Sequence, residues 1–169
     1  MLGSLIPSSP SLVRRLSQQI DWANTRVLVE YGPGVGTVTT ALLQRLRPDG
    51  VLVAIDYNQD FANYLRQTVS DPRLRVAHGS AADVEQILAD MQLDGADCVV
   101  SGIPHSTLTP ALRAQILQST RQVLRPGRSF IVYQFTAAVL TQLEEVCGEV
   151  RQERELLNIL PARIFCCLR

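Results

Sequence analysis

The sequence predicts an α/β fold: a doubly wound, mostly parallel sheet of seven strands, the last two forming a C-terminal hairpin. Three observations predict it. Short apolar runs alternate with helix-spaced stretches along the 169 residues, the pattern of strand–helix–strand units with helices on both faces of a sheet. A glycine-rich turn joins the first run to the helix after it. The residues with chemistry to offer fall at the carboxyl ends of the runs, where such sheets bind ligands.

The elements follow in order. Ser8-Ser9-Pro10 opens a helix, with Ser9 as its cap and Pro10 at the first helical position. Leu12, Leu16 and Ile20 recur at helical spacing. Arg14 and Arg15 lie on another face and suit either solvent or anionic phosphates. Val27-Leu28-Val29 is the first strand and ends at Glu30. Gly32, Gly34 and Gly36 lead into a helix over Thr37 to Leu46, with Val38, Leu42 and Leu46 on one face. Pro48-Asp49-Gly50 turns the chain into a second strand, Val51 to Ile55, which ends at Asp56. Gln59 to Val69 is a helix stopped by Asp71-Pro72, and Leu74 to Ala77 is the third strand. Beyond it, Ala81 and Ala82 are small enough to admit a flat ring. Asp83 either lines that slot or caps the next helix. Asp97 to Val100 is the fourth strand, tipped by Ser101-Gly102-Ile103-Pro104-His105. A helix over Pro110 to Leu124 turns at Pro126-Gly127 into a fifth strand, Ser129 to Phe135. Ala137 to Val146 is helical, and Val150 to Leu157 with Ala162 to Leu168 forms the hairpin. Without repeat or linker, residues 1–169 read as one domain.

Composition excludes several classes. At 46% hydrophobic and 19% charged residues the chain is globular rather than disordered. Sixteen basic residues balance sixteen acidic ones, which argues against a nucleic-acid partner. Every basic residue is arginine, so lysine Schiff-base and lysine general-base chemistry are excluded. Cys98, Cys147, Cys166 and Cys167 make no Cys-x-x-Cys pair, and two histidines complete the soft donors. No metal site is expected, and the cysteines in apolar runs read as small buried hydrophobes. The apolar runs are short of a membrane span and no secretory leader is visible, so a cytoplasmic protein is expected, free or peripheral on the inner membrane face.

The chemistry centres on Arg26 to Gly36, RVLVEYGPGVG. Glycine lets a backbone bend sharply between strand and helix and lets a ligand approach it. The spacing is Gly-x-Gly-x-Gly, and Thr37 stands where a dinucleotide fingerprint places its third glycine. Asp56, twenty residues past Gly36, suits both hydroxyls of a ribose. Glu30 suits a ligand ammonium better than a pyrophosphate. S-adenosylmethionine (SAM) has an ammonium, a sulfonium, a ribose and no phosphate. The expected cofactor site is therefore Glu30, Gly32, Gly34, Gly36 and Asp56, with Ala81, Ala82 and Ser101 completing it.

Glu30-x-Gly32-Pro33-Gly34-x-Gly36, Asp56 and the fourth-strand tip together resemble the class I SAM-dependent methyltransferases, which have a Rossmann-like seven-stranded sheet. Within that group the chain most resembles bacterial phospholipid N-methyltransferases. Four pieces carry the finer likeness: Ile6-Pro7-Ser8-Ser9, Ser101-Gly102-Ile103-Pro104, Gln134-Phe135-Thr136 and Asn158-x-Leu160-Pro161-Ala162. The resemblance implies stepwise methylation of the amine of phosphatidylethanolamine or a related aminolipid. Only weak peripheral membrane contact is expected, because Leu12, Leu16 and Ile20 are needed to cover the sheet and leave Arg14 and Arg15 to meet the membrane. That family usually carries an amphipathic segment ahead of its Pro-Ser-Ser region and an aromatic where Ala137 and Ala138 stand.

Two other readings compete. An rRNA adenine N6-dimethyltransferase-like enzyme shares the first motifs, but reads Asn-Leu-Pro-aromatic at the fourth-strand tip. Ser101 is matched to that Asn and His105 to that aromatic. A non-catalytic SAM-binding protein is the third reading, separated from both enzymes by SAM turnover. For an amine acceptor the protein must align a lone pair with the methyl group and see the ammonium deprotonated. His105, with an ordinary pKa near 6.5, is the candidate base. Tyr133 and Tyr31 are candidates to hold the amine by hydrogen bond or cation–π contact.

Overall fold

The computed structural model describes residues 8–134, 139–147, 149–155 and 162–169. Its sheet is built outward from β1 (Val27–Tyr31), every residue of which is buried. β1 lies between two parallel neighbours, β2 (Val51–Asp56) and β4 (Ala96–Ser101). Strands covered on both faces read as continuous apolar runs, which these three do. β3 (Leu74–His78) is the outer neighbour of β2 and only half-buried. On the other side β5 (Leu124–Gln134) pairs parallel with β4. β7 (Ala162–Leu168) runs antiparallel to β5 and to the edge strand β6 (Val150–Glu155). The order is β3-β2-β1-β4-β5-β7-β6, so the chain reverses its direction of winding between β1 and β4. The crevice of such a sheet opens there, beyond the carboxyl ends of its strands.

Two apolar layers hold helices against the sheet. On one face α1 (Pro10–Gln18) and α2 (Thr37–Arg45) bury Leu12, Leu16, Val38 and Leu42, and Ile20 and Leu46 join them just beyond the helix ends. The Ser9 hydroxyl caps α1 and Pro10 starts it, as the sequence predicts. The opposite layer packs α4 (Val84–Asp90), α5 (Pro110–Val123) and α6 (Leu140–Cys147) over Val29, Tyr31, Phe130 and Phe165. α3 (Gln59–Thr68) lies beside β2 and β3. Cys98, Cys166 and Cys167 are buried with these layers. Arg73 fixes the outer edge by donating to the Leu43 and Leu46 carbonyls and to Asp71.

Most boundaries fall within a residue or two of the pattern among the described residues, and the start of β5 differs most. β5 begins at Leu124, where the sequence suggests Ser129, because Leu124 already pairs with Ala96 and the ladder shifts register before Cys98. Pro126-Gly127 thus lies within an irregular strand, with Gly127 at φ +72°. Ile6-Pro7, Phe135 to Ala138 and Asn158 to Pro161, which carry part of the finer resemblance and the start of the expected sixth helix, lie outside the described residues. No described helix is long and apolar enough to cross a membrane.

Candidate active site

The glycine turn is a backbone cradle. Gly32, Gly34 and Gly36 stand at φ +68°, +54° and +82°, the left-handed region that other residues enter only at a cost. Gly36 also has no room for a side chain, since a Cβ there would lie 2.5 Å from Leu65 Cδ1. A Cβ on Gly34 would meet nothing within 4 Å. Gly36 is thus a packing requirement, while Gly34 faces open space that a ligand can approach.

Two carboxylates flank the cradle. Asp56, 7% exposed at the end of β2, accepts the Gly34 N–H (3.1 Å) and the Asn58 N–H (2.8 Å), one on each oxygen. It therefore braces the turn and keeps a further lone pair on each oxygen for ligand hydroxyls. Glu30, fully enclosed at 0% exposure, accepts the Thr39 hydroxyl on Oε2 at 2.6 Å, and Oε1 has no partner among the described residues. Burial, opposed by Thr39 and reinforced by Asp56, pushes its pKa up to about 7.

Other expected residues are placed differently. Ala81 and Ala82 are buried in the layer beneath α5, and the Ser80 hydroxyl accepts the Ala82 N–H. Asp83 is exposed and makes no side-chain cap to α4. Ser101 and His105 are both 0% exposed, with Ser101 Oγ 3.1 Å from His105 Nε2. His105 Nδ1 has no partner among the described residues, and burial beside Arg113 lowers its pKa to about 4. The imidazole is neutral at pH 7 and enclosed. Tyr31 lies wholly within the α5 layer, 3.1 Å from the Thr120 hydroxyl. Tyr133, near the end of β5, packs against the layer of α1 and α2. Its half-buried phenol lies over Gly102, where a Cβ would come within 2.7 Å of Cζ, and its hydroxyl bonds to Ser8. Burial, then Glu30, raises its pKa above the ordinary phenol range.

The tip of β4 also corrects a match. Counting back from Pro104, Gly102 rather than Ser101 stands opposite the Asn of an Asn-Leu-Pro-aromatic motif. Ser101 belongs to β4 and turns its side chain inward to His105. The place a side chain on Gly102 would take is filled by the Tyr133 hydroxyl.

A profile of the methyltransferase domain matches residues 28–127, the stretch from β1 to β5. The chain belongs to the methyltransferase-domain family. An ornithine lipid N-methyltransferase of Singulisphaera acidiphila is 35% identical over 130 residues, 76% of this methyltransferase and 68% of that enzyme. A ribosomal RNA small subunit methyltransferase A of Aromatoleum aromaticum is 30% identical over 110 residues, 65% of this chain but 39% of the relative. The crystal structure of a Bacillus cereus O-methyltransferase with S-adenosylhomocysteine superposes with a TM-score of 0.79 at 16% identity, covering 99% of this chain and 84% of that one.

The cofactor of this methyltransferase is S-adenosylmethionine, and the residues present fit it. The orphaned acceptor on Glu30 suits an ammonium, the open approach to Gly34 admits ligand atoms, and the carboxylate pair would repel a pyrophosphate. Sequence reasoning missed two residues at this end of the sheet. Thr39, one helical turn beyond Gly36, orients Glu30. Tyr57, directly after Asp56, is 83% exposed, an aromatic beside a strand-end carboxylate that is visible in the sequence.

Proposed function

We propose that this methyltransferase transfers a methyl group from S-adenosylmethionine to the amine of an aminolipid, in the class of ornithine lipid and phosphatidylethanolamine. The observation that carries the reading is the 35% identity, across 76% of the chain, to an ornithine lipid N-methyltransferase. In this reading Glu30 holds the ammonium, Asp56 the ribose hydroxyls, Gly32 and Gly34 the passing chain, and Tyr57 the adenine face. The cofactor supplies an already activated methyl group, so the protein's share is alignment and exclusion of water. Tyr133 and the carbonyls of the 102–104 loop receive the acceptor's N–H groups. His105 is enclosed and weakly basic, and Tyr133 resists ionisation. The amine therefore gives its proton to solvent before it enters, and the neutral fraction is what the pocket takes.

The rRNA reading draws on the relative that acts on ribosomal RNA, yet Gly102 and buried His105 replace the amide and the stacking ring such a site needs. Membrane contact in the lipid reading is weak. The apolar residues of α1 are committed to the sheet, which leaves exposed Arg14 and Arg15 to meet anionic headgroups, and Arg15 already faces Glu153 at 3.8 Å. Such contacts contribute about 1 kcal/mol per arginine, so moderate salt should release the protein from anionic vesicles. Incubation with labelled S-adenosylmethionine, detergent-dispersed aminolipids and rRNA tests the acceptor. Label is expected in aminolipid, and label confined to rRNA overturns the reading.

A further inference from the structure

We propose that cofactor binding displaces a proton from the Glu30 carboxyl, the ligand's ammonium taking its place against Oε1. This rests on the assignment of S-adenosylmethionine to the crevice. The carboxyl lies near the end of β1 with 0% exposure, one oxygen given to Thr39 and the other, among the described residues, to nothing. The groups that face it are the Thr39 hydroxyl from α2, the Asp56 carboxyl from β2 and the Tyr133 phenol from β5. Its strand neighbours are Ala54 and Val100, and the glycine turn carries no charged side chain. Among the described residues no cation pairs with it, and its ionisable neighbours are acids.

An enclosed carboxylate without a cation is costly, and the group neutralises instead. Its pKa of about 7, against 4.5 in the open, states the same preference. When an ammonium arrives, the O–H bond of the carboxyl breaks and its proton leaves for the buffer. The ammonium keeps its own protons and donates one of them to Oε1. Sulfonium and ammonium both attract the resulting carboxylate, while S-adenosylhomocysteine retains the ammonium alone. Below pH 7 the Glu30 carboxyl is therefore mostly uncharged in the apo site and ion-paired in the holo site, and it links cofactor affinity to pH.

The test is calorimetry of S-adenosylhomocysteine binding at pH 6 and pH 7, each in two buffers of different ionisation enthalpy. With a free-state pKa of about 7, the wild type should release about 0.9 proton at pH 6 and about 0.5 at pH 7, and bind about fivefold more weakly at pH 6. Glu30→Gln should bind with neither the release nor the pH dependence, and His78→Gln, at the exposed imidazole on this end of the sheet, should keep both. A carboxyl carbon resonance of Glu30 in the free protein, titrating near neutrality, gives the same answer without a variant. Binding with no proton release, or a Glu30 that titrates like an open carboxylate, overturns the inference and leaves the cofactor assignment intact. No binding of either ligand at any pH overturns the cofactor assignment itself.

Discussion

Between β2 and β4 the crevice is made of backbone. Three glycines at positive φ and two strand-end carboxylates come from within 27 residues of chain, Glu30 to Asp56, and each constrains the next. Between β4 and β7 it is made of side chains brought together from far apart: Ser8, Gly102 and Tyr133 meet only in the folded chain. In the proposed reading, cofactor geometry is thus fixed by local chain direction, and acceptor geometry by long-range packing. The first should be brittle toward backbone changes, the second toward the loss of single functional groups.

Glycine substitutions should expose that difference most strongly. Gly36→Ala places a methyl 2.5 Å from Leu65 Cδ1 at φ +82°, combining a left-handed penalty of about 1 kcal/mol with overpacking of about 2 kcal/mol. The expected loss is about 3 kcal/mol, or roughly 10 °C of melting temperature for a chain of this size. Gly34→Ala meets nothing within 4 Å and should lose only about 1 kcal/mol of stability, with a larger loss of cofactor affinity. Gly102→Ala drives Tyr133 off its seat, and should leave cofactor affinity alone while raising KM for the acceptor. Equal melting temperatures for the Gly36 and Gly34 variants would break the distinction between packing glycine and ligand glycine.

The two sides also titrate in opposite directions. Glu30 has its folded pKa raised, from 4.5 to about 7. Its stabilisation is complete below pH 4.5 and disappears as pH rises through 7, a span of about 3 kcal/mol. His105 has its folded pKa lowered, from 6.5 to about 4. Its stabilisation is complete above pH 6.5 and disappears as pH falls through 4, also about 3 kcal/mol. Across pH 4.5–6.5 the two slopes oppose each other. The wild type should show a nearly flat contribution from the pair. Glu30→Gln should grow more stable as pH rises through this window, and His105→Gln less stable. Chemical denaturation at pH 5 and pH 6.5 checks both signs, and parallel slopes in the two variants would refute the pairing.

A smaller effect concerns the brace between the strands. Asp56→Ala removes the acceptor for Gly34 and Asn58 and, in the proposed reading, the partner of the ribose. Cofactor affinity should fall by about 2 kcal/mol, the scale of charge-assisted hydrogen bonds, and calorimetry measures it directly. If Asp56→Ala binds S-adenosylhomocysteine as the wild type does, the ribose lies elsewhere.

The same contrast decides how much could be read in the sequence. Strand–helix alternation, the glycine spacing and Asp56 are local patterns, and the sheet and cradle follow them. Tyr31, Ser101 and His105 were legible as polar residues at strand ends, but which face each takes is a matter of packing. Tyr31 points into the α5 layer and His105 folds back onto Ser101. Nothing in a strand's own residues says that the phenol of Tyr133 lies against Gly102, because that contact joins β5 to the tip of β4. Thr39 was hidden for a simpler reason: a threonine near a helix start usually serves the backbone, and here it serves Glu30.

Tyr133 is where the acceptor side can be separated from the cofactor side by the least change. Tyr133→Phe keeps the ring over Gly102 and deletes the hydroxyl that bonds Ser8. If that hydroxyl receives or orients the acceptor amine, kcat/KM should fall about tenfold, near the 1.4 kcal/mol expected of one hydrogen bond. Cofactor affinity should stay within about twofold, because Tyr133 meets Glu30 only through its field. Because the phenol does not ionise near neutrality, the pH profile should keep its wild-type shape. That shape should be a rise with pH toward the acceptor amine's own pKa, with no plateau from an imidazole. Steady-state kinetics on one aminolipid from pH 6.5 to 9 reads all three quantities. A profile that levels near pH 6.5 would put a base back in the site. A Tyr133→Phe variant that loses cofactor affinity in step with turnover would place the phenol on the cofactor side, and the division of the crevice would fall with it.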